Sequence, residues 1–110
     1  MAERIFKLRY LPLFEEDLTE IIDYIIYQLK NQQAANNLIY KIETAIMDRL
    51  KNPESFEPYT SEKERKHPYY RIYVKNFVIY YVVINNETDN FKIMEVRRLL
   101  YNKRDTNKFI

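Results

Sequence analysis

From Tyr69 to Leu100 the chain reads YYRIYVKNFVIYYVVINNETDNFKIMEVRRLL, and this stretch decides the fold. Three segments within it, Tyr69 to Lys75, Phe77 to Ile84 and Phe91 to Leu100, are rich in the β-branched and aromatic residues that suit a pleated, half-buried surface. Lys75-Asn76 is short enough to turn tightly between the first two, and Asn85 to Asn90 (NNETDN) can turn between the second and third. The chain has no glycine. Asparagine tolerates the left-handed conformation better than most side chains with a Cβ, so it is expected to replace glycine in these turns. The middle segment is continuously apolar while its neighbours alternate, which places Phe77 to Ile84 at the centre of an antiparallel meander.

Upstream, Ile5 to Tyr10 alternates, with Phe6, Leu8 and Tyr10 on one face and Lys7 and Arg9 on the other, as a short strand closed by Pro12 would. From Phe14 to Leu29 the apolar residues Phe14, Leu18, Ile21, Ile22, Ile25 and Leu29 draw one stripe down a helix. Glu15, Glu16 and Asp17 lie in its first turn. A metal site there is conceivable, but carboxylates at the positive end of a helix dipole need no ligand to explain them. A second stripe runs through Ala35, Leu38, Ile39, Ile42, Ala45, Ile46 and Leu50, with Asn31 as cap and Asn52-Pro53 as stop. The short connection predicts an antiparallel helical hairpin. The expected fold is α+β, β-α-α-β-β-β, an antiparallel meander sheet packed against an N-terminal helical hairpin.

Residues 1–110, at 13.6 kDa and 46% hydrophobic, suffice for one domain with one core. Without cysteine there is no disulfide, thiolate metal site or cysteine nucleophile. Without glycine there is no P-loop, dinucleotide fingerprint or nucleophile elbow. A single histidine, His67, and two serines, Ser55 and Ser61, leave acid–base chemistry to Tyr, Lys, Arg, Asp and Glu. The longest apolar run, Phe77 to Ile84, is far shorter than the roughly 20 residues of a membrane helix. The start, MAERIFK, lacks a secretion signal's hydrophobic stretch. These features predict a soluble cytoplasmic protein with no membrane partner, no cofactor and no metal. The net charge of +2 is uneven: residues 1–58 hold seven basic and ten acidic side chains, residues 59–110 eleven and six. Such a basic half attracts phosphate backbones and acidic peptides, although clustered surface charge alone is common.

Three patterns, in this order of elements, resemble the RelE/ParE superfamily of toxins from type II toxin–antitoxin (plasmid stabilisation) modules. Phe14 to Ile25 (FEEDLTEIIDYI) is similar to the family's acidic first helix, A-x-x-D-L-x-x-I-x-x-Y-I. The helix expected over 33 to 51, running into Asn52-Pro53, resembles the second. Tyr70-Arg71, then Phe77 to Tyr81 (FVIYY), then Arg98 to Asp105 (RLLYNKRD) resemble Y-R … Y-R-I-x-Y … R-V-L-H-x-R-R-D. The resemblance spans nearly the whole chain and implies a toxin neutralised by a cognate antitoxin, with operator DNA contacted only through that antitoxin.

RelE-like members are ribosome-dependent mRNA endonucleases, whereas ParE-like members are associated with poisoning DNA gyrase. Cleavage by 2′-hydroxyl attack needs a base, an acid and a cation for the developing phosphorane charge. Carried over residue by residue, the nuclease set is incomplete. Arg71 matches the first basic position of the second strand, but Tyr73 occupies the next, and Val78 replaces the arginine of Y-R-I-x-Y. If an ungapped alignment puts Ile110 at the C-terminal tyrosine, its isoleucine side chain cannot act there. Tyr101 could serve as the tyrosine of a C-terminal pair, so the candidate catalytic residues of a nuclease are Arg71, Tyr73, Tyr101 and Arg104. The long first helix looks closer to ParE. The resemblance then implies a non-enzymatic gyrase inhibitor that engages its target, or gyrase-bound DNA, through Arg71, Arg98, Lys103 and Arg104. The alternatives are a RelE-like nuclease acting on ribosome and mRNA, and a homologue that has lost toxicity and serves as a binding or regulatory partner. Strand arginines also solvate an uncovered sheet face, and the tyrosines of the basic half can stack nucleobases or simply bury a ring and keep the hydroxyl wet.

Overall fold

The computed structural model describes residues 5–59, 66–85 and 90–103. In chain order the elements are β1 (Ile5–Tyr10), α1 (Pro12–Asp23), a π-helical turn (Tyr24–Gln28), α2 (Gln32–Leu50), β2 (Tyr70–Val74), β3 (Phe77–Asn85) and β4 (Phe91–Tyr101). The fold is α+β with the expected order. The sheet runs β1-β4-β3-β2, and β2, β3 and β4 form the antiparallel meander with β3 inside it. β1 lies parallel to β4, Ile5 opposite Phe91 and Tyr10 opposite Val96, so the sheet is mixed rather than antiparallel throughout. A parallel pair needs a long crossover, and the helices and meander between the two strands supply it.

Pro12 sits where strand becomes helix. The Leu11 N–H gives the last rung of the parallel ladder, 2.9 Å to the Val96 carbonyl, and Pro12 then opens α1, a position that needs no N–H donor and suits its fixed φ. The first helical stripe departs from its expected course after Asp23. The Leu29 N–H reaches back five residues to the Tyr24 carbonyl at 3.2 Å, a π-type bond. One extra residue in a turn rotates the downstream side chains by about 100°. Leu29, expected on the buried stripe, is therefore exposed, while Ile21, Ile22 and Ile25 still pack on the core.

Asn31 caps α2 as expected, its Oδ1 accepting from the Ala34 N–H at 3.0 Å. The left-handed conformations fall elsewhere than expected: among the described residues they belong to Lys30 (φ 55°) and Lys75 (φ 51°), not to asparagine. The asparagine next to each is committed otherwise. Asn31 holds the cap, and the Asn76 carbonyl accepts the Asn102 N–H at 2.8 Å. The turn expected within Asn85 to Asn90 and the Glu62 to Lys66 connection fall largely outside the described residues.

The helical hairpin covers one face of the sheet, where Phe14, Leu38, Ile42 and Ile46 meet Ile79, Tyr81, Met94 and Val96. A second cluster, Tyr69, Val78, Tyr80, Val82 and Leu100, lies on the other face. β3 contributes to both, which is the physical reason its sequence is apolar without alternation.

Candidate functional site

Arg71 and Tyr73 share the sheet face opposite the hairpin, where β2 places them across from Tyr80 and Val78. The Arg71 guanidinium lies 4.8 Å from the Tyr59 ring centre and 5.7 Å from that of Tyr73. Such packing steadies a cation without neutralising it. No carboxylate among the described residues pairs with Arg71. Val78, which stands where the resemblance would have an arginine, is 3% exposed within the second cluster.

The other candidates are placed differently. β1 pairs with β4 only as far as Val96, and beyond it the outer edge of β4 faces α1. There Asp17 takes the Nε and Nη2 of Arg98 at 2.8 and 2.9 Å, and its Oδ2 also accepts the Leu99 N–H at 3.0 Å. One carboxylate thus satisfies both a guanidinium fork and a strand N–H. The bond to Asp17 raises the pKa of Arg98 further. Asp17 is therefore a structural tie rather than a solvated residue of the helix start. Tyr101 stands beside Phe77, ring centres 5.9 Å apart, and borders α1 on the hairpin side. The nuclease candidates thus divide: Arg71 and Tyr73 lie together, and Tyr101 lies on the hairpin side with β3 between their strands. Lys103 is exposed, and Arg104 and Ile110 fall outside the described residues.

Two clusters carried no clear signal in the sequence. β4 bulges at Arg97, since Tyr80 pairs with Arg98 but Tyr81 with Val96. Beside the bulge, Glu95 is buried and accepts Arg9 Nε at 2.7 Å and Arg97 Nε at 2.8 Å. Burial would raise the Glu95 pKa, but the two guanidinium bonds and their charges outweigh it and hold the carboxyl below its usual range. The second cluster joins α2 to the sheet. Arg49 Nη1 donates to the Tyr81 hydroxyl at 2.9 Å and to the Arg71 carbonyl at 3.1 Å, with the guanidinium 3.4 Å from the Phe56 ring centre. The Tyr81 hydroxyl donates in turn to the Pro53 carbonyl at 2.7 Å. Burial raises the Tyr81 pKa, and Arg49 offsets part of that rise.

Among the described residues no cluster of three or more His, Asp or Glu side chains is arranged to hold a metal ion, and no helix is long and apolar enough to cross a membrane. Element order, a helical hairpin on one side of a mixed four-stranded sheet and a basic second half define a small α+β domain of the RelE/ParE kind. The chain belongs to the ParE toxin family: the family model described as the ParE toxin of the type II toxin–antitoxin system parDE matches residues 8–106. No curated protein matches the chain.

Proposed function

We propose that this chain inhibits growth by binding DNA gyrase, or gyrase with its bound DNA, without cutting RNA, and that a cognate antitoxin neutralises it. The observation that carries the reading is the ParE family match along residues 8–106. Geometry supports the non-catalytic part. A ribonuclease site needs base, acid and cation around one phosphodiester, whereas Arg71 and Tyr101 lie on different sides of the sheet and Val78 offers a buried apolar group. Arg71, exposed to solvent in part and free of a carboxylate among the described residues, is the steadied cation of the proposed contact, with Lys103 and Arg104 further along the chain. Arg98, already bound by Asp17, positions β4 instead.

The test is purified protein against gyrase, reading supercoiling and trapped cleavage complexes, alongside induced expression in bacteria with message integrity monitored. Gyrase inhibition with intact mRNA is expected. Cleaved mRNA with normal supercoiling would establish the endonuclease reading, and expression without growth arrest would mean a non-toxic homologue.

A further inference from the structure

Among the described residues, the four strands hold the basic side chains of Lys7, Arg9, Arg71, Lys92, Arg97 and Arg98 against one acid, Glu95. Lys92 is paired with Glu54, just past α2, and Arg98 with Asp17 of α1. The other four cations face away from the hairpin. Lys7 and Arg9 alternate with Leu8, which packs on the core under the helices. Arg9 stands beside Glu95, whose neighbour on β3 is Val82 of the second cluster. Arg97 Nη1 reaches the hydroxyl of Tyr69 in that cluster at 3.5 Å, and Arg71 lies opposite its Tyr80. The row crosses the whole sheet from β1 to β2, three strand spacings or about 14 Å.

Most of this charge is left unneutralised. Glu95 takes both Arg9 and Arg97, so one carboxylate stands against two guanidiniums. Its side chain is 5% exposed, whereas that of Arg9 is 50% exposed and that of Arg97 29%, so the surplus charge faces water. Lys7 and Arg71 rest on rings instead, Lys7 Nζ 4.0 Å from the Phe91 ring centre, and neither has a carboxylate partner among the described residues. Cations held in place by a buried acid or a ring lose little freedom when they meet an anion. The rings beneath the row narrow the choice of anion. Tyr69 and Tyr80 are buried, 7% and 3% exposed, and packed edge to face, so they offer no platform to the unpaired bases of a single strand. Tyr73 is exposed, but it sits on β2 at the edge of the row. Separated cations over a width of about 14 Å match the phosphates of a duplex, of which about four on the nearer strand span that length.

We propose that the sheet face opposite the hairpin binds the phosphate backbone of duplex DNA, with Lys7, Arg9 and Arg97 acting beside Arg71. Contacts to phosphate carry no base sequence, so the face holds duplexes of any sequence. The proposal rests on the gyrase reading for its setting and narrows it: this face meets the DNA that gyrase holds, not the enzyme's own surface. Arg98 takes no part, because Asp17 already binds its fork.

The test titrates the purified chain into a fluorescein-labelled duplex of about 20 base pairs and arbitrary sequence, reading anisotropy between about 50 and 200 mM salt. The logarithm of the binding constant is expected to fall with that of salt at a slope of about −3, as three neutralised phosphates would give. Lys7→Gln and Arg71→Gln, at opposite edges of the sheet and touching rings rather than acids, are each expected to weaken binding about three- to fivefold. Each should also flatten the slope by about one. Lys41→Gln on α2 makes the same change in net charge away from this face and is expected to bind like the unaltered chain. No binding at about 50 mM salt, or an equal loss from Lys41→Gln, overturns the proposal. Tighter binding of a single strand of the same length overturns it too, as does displacement by polyglutamate as effective as by unlabelled duplex. A gyrase supercoiling assay on the same chains keeps the two readings apart. DNA binding without gyrase inhibition defeats the gyrase reading and leaves the DNA face standing. Gyrase inhibition by a chain that binds no DNA overturns the proposal and leaves the gyrase reading standing.

Discussion

Asp17 on α1 and Arg98 on β4, 81 positions apart in the chain, are joined by two bonds of 2.8 and 2.9 Å, and the same carboxylate holds the Leu99 N–H. The pair stands where β1 has left the edge of β4, so a side chain takes over from a strand. Their side chains are only 12% and 16% exposed, which limits solvent screening.

Asp17→Asn is expected to destabilise the fold by about 2–4 kcal/mol, because it removes the charge that the largely buried Arg98 fork binds at 2.8 and 2.9 Å. Urea unfolding of Asp17→Asn, Arg98→Gln and the double variant should give a coupling energy of about 1 kcal/mol or more, the signature of a direct pair.

Arg71→Gln should separate function from stability. Its side chain touches rings but no carboxylate among the described residues, so unfolding free energy should change by no more than about 1 kcal/mol. Target inhibition should fall about tenfold, equivalent to ~1.4 kcal/mol of lost contact. Arg98→Gln should lose stability and inhibition together, and a gyrase titration run beside urea melts distinguishes the two cases.

Glu95 supplies a pH dependence. Its folded pKa lies below the ordinary carboxyl value, because Arg9 and Arg97 outweigh burial. The stabilisation is therefore present in full above the unfolded value of about 4.3 and is lost as pH falls through the lower folded value. Relative to Glu95→Gln, the unaltered chain should be more stable by about 1–3 kcal/mol at neutral pH. That advantage should shrink steadily in melts taken below about pH 4.

Tyr81→Phe removes the hydroxyl that donates to the Pro53 carbonyl and accepts from Arg49. A loss of about 1–2 kcal/mol is expected, since both partners are left short of a bond. Calorimetry on Tyr81→Phe and Arg49→Met should show non-additive losses, as both remove the same contact.

Much of the fold was legible because burial leaves a period in the sequence. The stripe from Ala35 to Leu50 and the unbroken run from Phe77 to Ile84 report helix and inner strand directly. The parallel placement of β1 was not legible, since an alternating strand looks the same beside either neighbour. Nor was the π-helical turn, which changes one hydrogen-bond step while the residues that shape it keep a helical spacing. Of the site, Arg71 and Arg98 were read as equivalent cations. Charge type is visible in a sequence, but whether an acid 81 residues away already holds one of them is a fact of three dimensions. Asp17 did carry a signal, as the aspartate of the acidic first-helix pattern, though its dipole-matched position suggested a humbler role.

The parallel pairing of β1 with β4 bears on when the protein can finish folding. Arg9 must wait for Glu95, 86 positions later, before the sheet can close. Long-range closure of this kind is slow compared with the local hairpins that precede it. During synthesis the helices and the β2–β3 hairpin can form while β1 has no partner to join. A chain released before Phe91 lacks all of β4, and with it the Arg9–Glu95 and Asp17–Arg98 ties. The last strand to leave the ribosome is therefore the one that both anchors the first strand and ties down the first helix.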